Sequence, residues 1–525
     1  MKSLSSSASP ALFSRLFACA VAALVTLSGC GGGGGNPNIG ASTPVADNPG
    51  TGTTTPPTTT PTPPTVTPDP IPSDYISYQN LCAAPRTGVD AEGYAFPDRQ
   101  GTLQDEMKFL RGWSDATYLW YNEIPSTVHM ADYTNTLDYF AALKTPALTA
   151  SGKLKDRFHF TYTTAEWDAL TNASQDTGYG LTWSVNSTTA PRTWIAAIVE
   201  PGSPAAAAGI QRGDLLTAVD GIDFINTTDK AQVALLNAGL SPDTAGERHT
   251  LTLRRGGNTM DIVLTSAVVT TTPVKNVKTI DTPTGKVGYL SFEDHNAVSE
   301  LQLVNAVTTL KNQGVSDLVL DMRYNGGGLL YVASELAYMI AGPATAGKTF
   351  ERAVYNDKTA PDGPIPFRNT AYGFSAPRNM ALPYLGLRRV TVLTTSDTCS
   401  ASEAVINGLR GVDVQVDLIG ATTCGKPYGF TPMDNCGTTY FTIQFQGANA
   451  KGFGDFADGF APTCAVSDDM AHALGDPAEG MLAAALSYRA TNACPASSTA
   501  RARGVPMHLA RSQMKEIAIY PPRTR

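Results

Sequence analysis

The chain has 525 residues, 42% of them hydrophobic and 16% charged, with a formal net charge of −8. That length corresponds to about three domains at roughly 100 to 200 residues each, and the hydrophobic share is enough to build real cores. The acidic balance, with no clustered basic face, excludes a general nucleic-acid binder, which needs cations to neutralise phosphates.

At the N-terminus, Lys2 and Arg15 precede the apolar run Leu16 to Leu27, which is too short to span a bilayer and has the length of a signal-peptide core. The run closes on Leu27-Ser28-Gly29-Cys30. This order resembles a bacterial lipoprotein signal, whose cysteine is acylated after cleavage in front of it. The expectation is a signal peptide over 1–29, a lipid on Cys30 that attaches the protein to a membrane, and a mature chain with 36 of the 38 cations against 46 acids. Gly31 follows the cysteine where an aspartate is absent. By the same resemblance the protein belongs to the bacterial cell envelope, on the outer membrane facing the periplasm. Residues 30–73 hold five glycines and the Thr/Pro tract Thr55 to Pro72, a composition that buries no core and makes an extended tether.

Residues 74–170 read as a helical N-terminal region. Leu103, Met107, Leu110, Trp113 and Thr117 recur at three- and four-residue steps, the period of one helix face, and Asp105 and Glu106 sit near its positive end. Residues 171–270 alternate like strands. In their middle, Val199 to Phe224 reads as a strand, a Pro201-Gly202 turn, a short Ala-rich helix stopped by Gly209, and a strand to an Asp220-Gly221 turn. This segment resembles a PDZ domain. Gly178, Tyr179, Gly180 and Leu181 stand where PDZ domains capture a peptide's terminal carboxylate, and Leu181 would open the strand to which the peptide adds.

Residues 271–494 alternate apolar strand candidates (287–292, 317–322, 389–395, 414–420) with helix patterns (297–314, 329–342), the signature of an α/β sheet covered by helices. Residues 495–525 carry six Lys/Arg against one Glu and read as a mostly solvated basic tail, helical in part at most. The fold class expected is therefore α/β multidomain: a helical N-terminal region, a β-rich PDZ-like domain and an α/β core.

The chemistry concentrates in three loops of that core. After the strand ending at Thr395, Ser400 falls at a loop-to-helix junction, where backbone N–H groups point outward without partners; Ser402 is assigned to the helix cap. Serine needs a base. Lys426, flanked by Gly425 and Pro427 with no acid from Ala421 to Phe430, can serve if burial lowers its pKa from about 10.4. Asp317 to Leu330 is strand, three glycines, helix. An N–H from Gly326 or Gly327 together with that of Ala401 would then form an oxyanion hole, where one donor is worth about 3 to 4 kcal/mol of barrier.

"RYNGGG", then "CSASE", then "GATTCGKP", in that order and behind a PDZ-like segment, resembles the C-terminal processing peptidases, or tail-specific proteases. The resemblance covers roughly 74–494. It implies that Ser400 is the nucleophile and Lys426 the base of a serine endopeptidase, that no metal or cofactor is required, and that the partners are protein or peptide substrates with free C-termini. Where that family often has a glutamine four residues after the lysine, this chain has Phe430; Gln444 is a candidate stand-in. That departure keeps open a catalytically silent PDZ-containing adaptor, and His295 is a further candidate base. The mature cysteines Cys82, Cys399, Cys424, Cys436, Cys464 and Cys494 are even in number, which in an oxidising compartment reads as disulfides with 15 possible pairings. Bridges from Cys399 or Cys424 would fix the two catalytic loops, and Cys424 with Cys436 would close a short loop around Lys426.

Overall fold

The structure is a computed structural model that describes residues 68–90, 93–169, 174–496 and 507–510; the signal peptide, Cys30 and the tether up to residue 67 lie outside it. No helix among the described residues is long and apolar enough to cross a membrane. The fold is α/β and multidomain, as expected.

Helix α1 (Leu103–Thr117) starts where Thr102 and Asp105 exchange side-chain and backbone hydrogen bonds in a capping box, which satisfies two of the donors a helix start leaves open. Its apolar stripe turns Met107, Leu110 and Trp113 inward, with Phe109 beside them. These pack on Tyr139 and Phe140 of α2 (Thr136–Ala142) and on Tyr428, Tyr440 and Ile443 from the distant core. Each such side chain contributes roughly 1.5 to 3 kcal/mol by burial. The N-terminal region is therefore fastened to the loops that follow Lys426.

Strands β1 (Leu181–Val185), β2 (Trp194–Val199) and β3 (Leu215–Val219), helix α3 (Lys230–Leu240), and strands β4 (Arg248–Arg255) and β5 (Asn258–Thr265) form the PDZ-like unit. Its sheet runs β5-β4-β3-β2-β1, all antiparallel. Asp220 and Gly221, both at positive φ, make the two-residue turn that matches the twist of paired strands. Trp194, Leu216, Phe224, Leu236 and Leu253 fill the core between sheet and helix.

The third unit comprises β6 (Val274–Thr282), β7 (Gly285–Phe292), α4 (Ser299–Asn312), β8 (Asp317–Asp321), α5 (Leu330–Ala341), β9 (Arg389–Thr394), α6 (Ala401–Gly411), β10 (Gln415–Gly420), β11 (Cys464–Ala465) and α7 (Gly480–Thr491). The sheet order is β6-β7-β8-β9-β10-β11, parallel from β7 onward. Parallel strands buried on both faces read as continuous apolar runs, which is why β8 and β9 stand out in the sequence. The loops after β8, β9 and β10 all leave from the same strand ends, so adjacency in the sheet brings the three chemical loops together.

The last described strand is β12 (His508–Ala510), which adds to the free edge of β1. Leu509 and Ala510 are buried. For residues 508–510 alone the structure departs from the mostly solvated tail: three residues carry little periodicity, and an open sheet edge supplies pairing that no local pattern announces. The disulfides are Cys82–Cys436, Cys399–Cys424 and Cys464–Cys494. Cys424 thus pairs with Cys399 and not with Cys436, which is claimed by the N-terminal region.

Candidate active site

Ser400 is the N-cap residue of α6, at φ +55° and ψ −116°, a conformation that costs a non-glycine residue of order 1 to 3 kcal/mol. The surrounding loop over-determines it. Cys399 N–H donates to Asn325 O at 3.0 Å, Thr398 Oγ1 to Met322 O at 2.9 Å, and Thr395 Oγ1 to Arg323 O. The Ser400 loop therefore lies directly on the glycine loop. Ser402 is not the cap: it sits inside the first turn and donates its buried hydroxyl to Asn325 O at 3.0 Å.

Gly327, at φ +103°, passes so close to the serine that a Cβ there would lie 2.7 Å from Ser400 Cβ and 2.8 Å from Ala401 N. Only glycine fits this crossing. Its N–H donates to Asn325 Oδ1 at 2.9 Å, so that donor is already engaged. Among the described residues no hydrogen bond occupies the N–H of Gly326 or of Ala401, the other two candidates for the oxyanion hole. Asn325 Oδ1 is also 3.0 Å from His295 Nδ1. His295 is fully buried, and burial pushes its pKa down to about 4, so the ring stays neutral beneath the glycine loop as a support.

Glu403 joins the serine loop to the lysine loop. Fully buried, it accepts from Ser400 N at 3.0 Å, Lys426 N at 2.8 Å, Gly425 N at 2.9 Å and Thr423 Oγ1 at 2.6 Å. Burial raises its pKa, and these four donors oppose that rise. The Cys399–Cys424 bridge spans the same two loops covalently. Glu403 therefore holds the Ser400 and Lys426 loops in one frame.

Lys426 Nζ lies 4.2 Å from the ring centre of Phe430 and 5.0 Å from that of Phe158. Burial among these rings lowers its pKa to about 8, while the charges of Asp156 and Glu403 pull it back upward. Phe430, at the position of the family glutamine, is thus a wall of the lysine's box. Gln444 does not replace that glutamine, because its amide pairs with the backbone of Thr431 on both sides. Phe158 and Asp156 arrive from the N-terminal region, and nothing in their local sequence marks them.

In the PDZ-like unit, Tyr179 is buried with its hydroxyl donating to Gly239 O at 3.1 Å, and Gly180 is at φ +74°. A Cβ on Gly180 would lie 2.3 Å from that of Ser203. Leu181 opens β1, as expected. A cavity of about 730 Å³ lies beside this loop, lined by Gly178 to Trp183, Leu240 and Glu293 among others. Arg212 connects the unit to the core: it donates to Tyr324 Oη at 2.7 Å and to Asp468 at 2.6 Å, while Arg323 bridges Asp321, Asp468 and Glu479. Cys30 lies outside the described residues.

Residues 286–452 match the model of "Peptidase family S41" and residues 196–255 that of "PDZ domain". The chain is similar to the carboxyl-terminal-processing protease of Picosynechococcus sp., 28% identical over 230 residues, 43% of this chain and 49% of that protein. It is also similar to that of Synechocystis sp., 26% identical over 261 residues, 49% and 54%. It therefore spans about half the length of the curated relatives it matches. A crystal structure of a putative S41 protease from Bacteroides fragilis superposes with a TM-score of 0.58 at 22% identity, over 76% of this chain and 99% of that one, a likeness of fold. Behind a segment that matches the PDZ domain model, the chain thus carries one that matches the model of peptidase family S41, and it is similar to carboxyl-terminal-processing proteases.

Proposed function

We propose that the protein is an exported, lipid-anchored serine endopeptidase that cleaves polypeptides selected through their free C-termini, with Ser400 as nucleophile and Lys426 as base. What supports this reading is a strained serine at the start of α6 and a lysine whose pKa is lowered to about 8 by burial in an aromatic box, on two loops that Glu403 holds together.

In this mechanism the neutral amine of Lys426 takes the hydroxyl proton as Ser400 Oγ bonds to the scissile carbonyl carbon. The developing oxyanion is met by the N–H groups of Ala401 and Gly326. Lys426 then returns the proton to the departing amine, leaving an acyl-enzyme. Water attacks that ester and gives a proton to Lys426, which passes it to Ser400 Oγ as the acyl–oxygen bond breaks, releasing the carboxyl product and restoring the serine and the neutral amine.

Export through the signal peptide and anchoring by acylated Cys30 on the outer membrane, facing the periplasm, belong to the same proposal. The three disulfides support an oxidising compartment. Replacing Cys30 with serine should release a soluble, folded protein unlabelled by fatty acid; unchanged membrane partitioning would refute the anchor.

The deciding experiment incubates the mature protein and its Ser400→Ala variant with an unfolded protein ending in an apolar residue. Fragments from the first and none from the second are expected. The rival is a silent PDZ adaptor, favoured by Phe430 in place of glutamine; peptide binding without any cleavage would establish it.

A further inference from the structure

The PDZ groove of this chain already contains a strand of the same chain. Strand β12 pairs antiparallel with β1, His508 opposite Val185, Leu509 opposite Ser184 and Ala510 opposite Trp183. An edge strand offers its open N–H and C=O groups to any extended chain, and this is the edge to which a PDZ ligand adds. The direction also fits. Going from His508 to Ala510 moves along β1 toward Leu181 and the Gly178–Leu181 loop, the course a ligand takes toward its carboxylate.

The side chains are seated as a ligand's would be. Leu509 is 2% and Ala510 1% exposed. Ala510 joins the PDZ core that contains Trp183 and Leu240, and Leu509 packs against Ala197 of β2 and Tyr324 of the glycine loop. Both residues line the cavity of about 730 Å³ that the carboxylate loop also borders. The N–H of Leu509 is 3.2 and 3.3 Å from the two oxygens of Asp397, three residues before Ser400. The segment is thus wedged between the groove and the nucleophile loop.

We propose that the His508–Ala510 segment is a built-in ligand of the PDZ groove, holding the strand-addition site until a polypeptide with a free C-terminus displaces it. The proposal rests on the PDZ function inferred above. Displacement is chemically reasonable because Arg511 follows Ala510 in the sequence, so this segment docks as an internal strand and presents no carboxylate at that point. A substrate terminus adds that anion. By the register, a ligand residue opposite Leu181 lies two positions beyond the place Ala510 holds, so a substrate reaching the loop must take over the sites of Leu509 and Ala510 as well. Its arrival would also break the contact with Asp397.

The test measures binding of a labelled free-acid peptide with an apolar C-terminus to the mature chain, using the Ser400→Ala background so that nothing is cleaved. Two further forms carry Leu509→Asp, or end at Val505. A tethered occupant acts at an effective concentration of order millimolar, so both forms should bind the probe about tenfold or more tightly than the parent. Equal affinity in all three, with unchanged melting, overturns the proposal. Hydrogen exchange on the unaltered tail gives a readout independent of variant folding. Amides of 508–510 should lose protection when the probe saturates the protein, and protection retained with the probe bound overturns the proposal as well. A synthetic peptide of residues 505–511 should bind the form ending at Val505, and its failure to do so refutes the proposal whatever the probe does. If the synthetic peptide binds but free-acid and amidated probes bind alike to every form, the carboxylate-reading function fails and the strand site stands.

Discussion

At the residue scale, the proposed catalysis turns on one proton. Lys426 must be neutral to act as a base, and burial brings its pKa to about 8, so kcat/KM should rise with pH through a limb near 8 and level off above it. Lys426→Arg should be as inactive as Lys426→Ala, since guanidinium keeps its proton; an active arginine variant would send the search to another base. Phe430→Gln replaces an apolar wall with a dipole that solvates the ammonium, so the limb should move up toward the solution value of about 10.4. A pH–rate profile of the three variants checks all of this. Ser400 makes a second, thermodynamic prediction. Because its backbone lies at φ +55°, Ser400→Gly should be about 1 kcal/mol more stable than Ser400→Ala in urea unfolding, with both inactive. Ser402→Ala should cost about 1 kcal/mol through its lost bond to Asn325 O, not through a lost helix cap.

Among elements, the candidate active site consists of three strand-end loops held against one another. Glu403, the Cys399–Cys424 bridge and the Cys424 N–H that donates to Thr398 O at 3.0 Å tie the serine loop to the lysine loop. A bridge closing 25 residues constrains the unfolded chain by about 3 kcal/mol. The double variant Cys399→Ser/Cys424→Ser should lose roughly that stability, and its activity should fall because the loops then depend on hydrogen bonds alone. Free-acid peptide affinity at the PDZ groove should not change in the same variant. Parallel loss of both functions would mean that the bridge supports the whole fold and not the site. The element scale also shows which local signals sufficed. Parallel strands β8, β9 and β10 and helices α4 and α5 are apolar runs or stripes bounded by glycine, and each is visible in a window of a few residues. β12 is invisible there because three residues have no period and their pairing partner lies more than 300 positions away.

Across the whole molecule, buried acids make stability depend on pH. Glu335 on α5 is fully buried, and burial together with the charge of Glu300 raises its carboxyl to about 8 from an ordinary 4.5. For a raised pKa the stabilising contribution is complete below the unfolded value and is lost as pH climbs to the folded one. Glu335 should therefore make the protein progressively less stable from about pH 4.5 to pH 8, and Glu335→Gln should flatten that part of the melting-temperature profile. A variant retaining the same slope would assign it to other groups. The N-terminal region is joined to the core covalently by Cys82–Cys436, 354 residues apart, and through Phe158 it completes the box around Lys426. The setting of the proposed base therefore depends on a region with no chemical motif of its own.

The sequence by itself determined the chemical inventory and its local settings: a serine at a helix start, a lysine between glycine and proline, a run of three glycines, and a PDZ loop of Gly178 to Leu181. Turns, caps and periodicity are set by neighbours within a few residues, so they survive in one dimension. Tertiary structure alone decided what those groups touch. It chose one cysteine pairing among 15, set Phe158 and Asp156 beside Lys426, turned Glu403 into the tie between two loops, and laid His508–Ala510 on β1. Each of these contacts closes a long loop, and the free energy that selects it comes from packing and backbone pairing distributed over the assembled core, which no local window contains.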